Sequence, residues 1–101
     1  MSSVLEKIQA IEKIGASDQI DQTLQKWIHI HLQKYERQIE GIQKDLLPFE
    51  KQFGMSSEKG HVQYEAGLLG DDSDAMDWMG LYDNLLLFQE RAKMLRSVID
   101  V

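Results

Sequence analysis

Cysteine is missing from this 101-residue chain. That excludes a disulfide framework, a thiolate zinc site and a cysteine nucleophile. It fits a reducing compartment, and a cytoplasmic location is expected. Proline occurs once, at Pro48. Long apolar runs are also missing. The longest is the four-residue stretch Leu85-Leu86-Leu87-Phe88, against the roughly 20 residues that a membrane span needs. No N-terminal segment joins a basic start to an apolar stretch, so neither a signal peptide nor membrane association is expected. No segment alternates apolar and polar residues for long enough to argue a strand. What remains is 43% apolar and 28% charged residues, ordinary globular usage, and a length that fits one domain over residues 1–101.

The chain carries 17 acids and 11 bases, a formal net charge of -6. The imbalance is local. Residues 1–55 hold seven bases and eight acids, while residues 56–101 hold four bases and nine acids. From Glu65 to Asp83 there are six acids and neither lysine nor arginine. A phosphate backbone is repelled by such a surface, so direct nucleic-acid binding by the isolated chain is not expected. A basic protein partner is attracted instead.

Apolar spacing then organises the chain as helices. Val4, Leu5, Ile8 and Ile11 recur at three and four residues, one face of a helix. Ser2 or Ser3 can cap its start and Gly15 its end, which predicts a first helix over about 3–14 within a segment 1–16. Ser17 and Asp18 can cap a second, long helix over about 18–53. Leu32, Ile39, Leu46 and Phe53 repeat every seven residues in it, as do Ile28, Tyr35, Ile42 and Phe49. These are the two seam positions of a heptad. Pro48 removes a donor and crowds the carbonyl of Lys44, yet the repeat continues in register past it. A kink near 44–48 is therefore expected rather than a stop. Gly54 ends the helix.

The connector 54–73 contains a short helix over 57–66, capped by Ser56, with Val62 and Tyr64 available for burial. Gly60 and Gly67 weaken or end it. Asp72, Ser73 or Asp74 can cap the last helix, over about 74–99. Its seam is Trp78, Leu85, Ala92 and Ile99 at one position and Leu81, Phe88 and Leu95 at the other. The expected fold is all-α: a long antiparallel hairpin with a short N-terminal helix and a short connector helix. A helix over 18–53 measures about 54 Å at 1.5 Å per residue, too long for one shorter helix to cover. A four-helix-bundle-like homodimer is therefore expected, with a monomeric bundle broken at Pro48 as the alternative.

Candidate chemistry is sparse. His29 and His31 point about 200° apart on a helix. His29, Glu36 and Glu40 share a face and could meet a metal only across a dimer, a weak arrangement beside solvated polar side chains. Asp72-Ser73-Asp74-Ala75-Met76-Asp77 begins like a calcium loop but lacks its sixth-position glycine and its final glutamate. It reads better as a helix cap. Phosphate-cradling and hydrolase motifs are missing. No catalytic residue, cofactor or metal site is expected. Trp78, Met79 and Tyr82 suit either an interface hot spot or a core anchored at a helix start.

One stretch carries a resemblance. Phe53-Gly54-Met55-Ser56-Ser57-Glu58 is followed by Tyr64-Glu65-Ala66-Gly67-Leu68-Leu69-Gly70-Asp71-Asp72-Ser73-Asp74, then by Asp77-Trp78 and Leu81-Tyr82-Asp83. This order resembles small helical prokaryotic antitoxins of the TumA type, over about residues 50–85. It departs from them at Gly60-His61, where such helices carry helix formers and an aromatic residue. The resemblance implies a toxin–antitoxin module whose partner is a small toxin encoded next door. Charge argues independently for a basic partner, met by Asp71, Asp72, Asp74 and Asp77 with Trp78 and Tyr82 as apolar anchors. The alternative from another class is a structural, self-associating hairpin.

Overall fold

The computed structural model describes residues 1–99. Four helices follow one another: α1 (Val4–Lys13), α2 (Ser17–Phe53), α3 (Ser57–Glu65) and α4 (Ser73–Ser97), with no strand among the described residues. The ends follow from local chemistry. Ser3 Oγ accepts from Glu6 N at 3.0 Å, and Glu6 Oε1 accepts from Ser3 N at 3.3 Å, a reciprocal capping box on α1. Ser56 Oγ accepts from Lys59 N, and Asp72 Oδ1 accepts from Asp74 N at 2.8 Å. Gly54 closes α2 in the left-handed region at φ 67°, where a Cβ would be strained.

The start of α2 differs from expectation. Ala16 is the flanking residue and makes no side-chain cap, while Ser17 already lies inside the helix. The chain leaves α1 through Gly15 at φ 81°, and Ala16 N bonds back to Ile11 O. The N-cap position thus falls on Ala16, which has no side-chain acceptor, one residue ahead of the hydroxyl of Ser17.

α2 runs unbroken through Pro48. Pro48 and Lys44 both lie on the exposed side, so the carbonyl freed by the missing N–H can bond to water. The seam faces α4 in antiparallel fashion. Phe53 stacks on Trp78 with ring centroids 4.8 Å apart and 12° between planes. Further along, Tyr35 meets Phe88 at 5.7 Å, and Arg96 reaches Glu36 at 3.4 Å. Leu32, Leu46, Trp78, Leu85 and Ala92 are buried seam residues. Ile28, Tyr35, Ile39, Ile42, Phe49, Phe53, Leu81, Phe88 and Leu95 are half-buried.

Both heptad seams are thus spent on each other inside one chain. The result is long and thin, 59 × 28 × 18 Å with a radius of gyration of 19.7 Å. A compact chain of this length has about 13 Å. α1 folds back on the first turns of α2, where Ile11 lines one open cleft with Ile20 and Leu24 and Ile8 lines another. The expected all-α antiparallel hairpin, with its short N-terminal and connector helices, is what the structure shows.

Candidate functional site

Everything at the α3–α4 end is organised by Trp78. It is fully buried, and its Nε1 donates to Ser57 Oγ at 2.9 Å. Ser57 Oγ donates in turn to Glu50 Oε2 at 2.8 Å, and Ser57 N donates to the same oxygen at 2.8 Å. One carboxylate on α2 thereby fixes the first turn of α3, and α3 supplies the one partner an indole needs when buried.

Gly60 completes the arrangement. A Cβ built there would lie 2.6 Å from Trp78 Cζ2 and 2.7 Å from Cζ3. Gly60 therefore does not end α3, which runs through it. It is the gap through which the ring passes. Ser57, Gly60 and Tyr64 turn toward the core, and Val62, expected to be available for burial, points out at 64% exposure.

These contacts correct one expectation. Trp78 has no surface to offer a partner, and Met79 beside it is also buried. The reading of both as core is the one the fold has. Tyr82 is half-buried. Burial, with the carboxylates of Glu58 and Asp83 close by, pushes its phenol above the ordinary value.

The four aspartates lie on the exposed surface at this end. Asp72 caps α4, and Asp74 Oδ2 accepts from Gln52 Nε2 at 2.9 Å. The acidic run enters the helix directly rather than folding into an ion-binding loop. From Glu58 to Asp83 the chain carries seven acids and a single lysine, Lys59. His61 Nε2 lies 3.6 Å from Glu65 and 3.8 Å from Asp83.

Two features were not foreseen in the sequence. Leu68 and Met76 are exposed among these acids, where Trp78 is buried. An open groove of about 440 Å³ runs between α2, α3 and α4. Leu46 and Leu85 form its floor, with Gln43, Glu50, Glu58, Tyr82 and Gln89 around it. The signal for it was the pair Glu50 and Glu58, one on each side of Gly54, but only the reversal at Gly54 brings them to one groove. A hydrocarbon floor with a carboxylate rim suits a lysine or arginine, stem down and charge at the edge.

Elsewhere His31 is half-buried and stacks on Trp27, centroids 3.8 Å apart. His29, Glu36 and Glu40 are exposed, and Glu36 is engaged by Arg96. Among the described residues no three metal-ligating side chains converge, and no helix is long and apolar enough to cross a membrane. Compared with models of known protein families, with curated proteins and with solved structures, the chain matches none.

Proposed function

We propose that this chain is a non-catalytic protein-binding module, a homodimeric antitoxin that neutralises a small basic toxin inside the cell. The observation that carries the reading is the acidic end of the hairpin: seven acids against one lysine from Glu58 to Asp83. The first of them, Glu58, lines the groove with the apolar floor, beside Glu50. Basic side chains of the partner lie in that groove against Glu58 and along Asp71, Asp72, Asp74 and Asp77. Leu68, Met76 and the edge of Tyr82 supply apolar contact. Covering a basic, RNA-facing site on a toxin would block it without chemistry, and long-range attraction speeds the encounter.

The homodimer is supported by surface. The chain exposes 7687 Å², whereas a compact monomer of its mass exposes about 5,900 Å². A structural, self-associating hairpin explains that excess equally well but gives the acidic groove no task.

The test uses the product of the adjacent gene, co-purified at low salt. Asp71, Asp72 and Asp74 are changed together to Asn, which still caps a helix, so the fold is kept. Binding is expected to weaken at least about tenfold, and its salt dependence to flatten. Unchanged affinity with unchanged salt dependence would sink the electrostatic reading.

A further inference from the structure

Beyond the point where α4 stops, the seam of α2 turns polar, with Asp21 and Gln25 seven residues before Ile28 and Leu32, and the apolar side chains move round the helix. Leu24, Trp27, Ile28 and Ile30 fall within about 160° of arc at 100° per residue. α4 ends by Ser97, near Glu36, to which its Arg96 reaches, and α1 covers only the face at Ile20 and Leu24. The gap between them holds Trp27 at 54% exposure and Ile30 at 63%. The Trp27 indole is not loose, because it is stacked on His31 with 24° between planes.

We propose that this N-terminal arm, α1 with residues 17–31 of α2, is the dimer interface. Its occupant is the same arm of a second copy, with Trp27 at the centre. This rests on the homodimer part of the function proposed above and specifies where it forms.

Three observations choose the occupant. The first is area. The chain exposes about 1,800 Å² more than a compact monomer of its mass, and a standard interface takes about 800 Å² per partner. The excess is enough for one such interface. The second is charge. Residues 1–31 carry three lysines and four acids, near balance, whereas residues 56–101 carry four bases and nine acids. Two copies meeting by their acidic ends would repel, and two arms do not. A basic partner finds its attraction at the acidic end and none on the arm. The third is shape. A two-fold contact needs one self-complementary patch, and a pre-oriented tryptophan flanked by aliphatic side chains is the usual centre of one. Since arm and acidic end are opposite tips of a 59 Å rod, the dimer holds its two acidic ends apart and offers two partner sites.

The chain has two tryptophans, and they make the test specific. Trp78 is buried within each copy, so a concentration-dependent change of emission reports Trp27. Sedimentation of the wild-type chain across the micromolar range, read together with its tryptophan emission, is compared with Trp27→Glu and Ile30→Glu. Both side chains are more than half exposed in the single chain, so helix content should be retained. The expected result is a dimer whose emission shifts to the blue as it assembles. Each substitution should weaken it at least about 30-fold. A wild-type chain that stays monomeric overturns the homodimer reading and this inference with it. A wild-type dimer that forms without an emission shift, or that survives both substitutions, overturns the arm while leaving the dimer in place.

Discussion

A single methyl group at Gly60 would decide whether α3 can dock. Intrinsic propensity favours alanine over glycine in a helix by about 1 kcal/mol. Against it stands a Cβ at 2.6 Å from one Trp78 ring atom and 2.7 Å from another, and forced overpacking costs typically about 1–3 kcal/mol. The ring cannot retreat, because Phe53 stacks on it and Ser57 holds its Nε1. Sterics therefore win. Gly60→Ala is expected to lower the urea midpoint, with a net loss of up to about 2 kcal/mol. A raised midpoint would show that α3 does not seat on Trp78. Nothing in the local sequence distinguishes this glycine from a helix breaker. What sets its role is an indole 18 positions further on, which becomes a neighbour only after the chain has turned from α3 into α4. For the same reason Trp78 could be read as an anchor for a partner: an aromatic at a helix start beside acids looks the same whether it faces in or out.

At the scale of elements, the heptad pattern carried most of the information. Two seams of period seven identify α2 and α4, and the end of α2 and the starts of α3 and α4 follow from Gly54, Ser56 and Asp72, residues whose preferences are strong and local. The pattern fails at the start of α2, where the turn out of α1 puts Ala16 and not Ser17 at the cap position. Pro48 tests how far pattern dominates propensity. A proline inside a helix costs about 3 kcal/mol relative to alanine, yet α2 passes through it because Leu46 and Phe49 on either side are held against α4 and its connector. Pro48→Ala restores a donor to the carbonyl of Lys44 on an exposed face. Calorimetry is expected to show a stabilised protein, by about 1–3 kcal/mol. An unchanged or lowered melting temperature would mean that the local geometry imposed by Pro48 is itself needed for the packing of α2 on α4.

At the scale of the whole molecule, helix length and charge asymmetry were both visible in the sequence, and both persist as shape: a rod with a near-neutral tip and an acidic one. The groove between Glu50 and Glu58 was not visible, since it exists only where three helices converge. The hydrogen-bonded run from Glu50 through Ser57 to Trp78 also has a consequence in time. Trp78 and Ser57 are 21 positions apart, whereas Glu36 and Arg96 are 60 apart. Closing the shorter loop costs about 1 kcal/mol less chain entropy, so the hairpin zips from the acidic tip toward the arm and opens in the reverse direction. Amides of residues 46–53 should then be the last to exchange with deuterium and those of 17–27 among the first. Uniform protection along α2 would contradict this order. An opening chain therefore loses its arm while its acidic tip is still assembled. If the proposed interfaces hold, a copy separated from its twin would still be able to bind its partner.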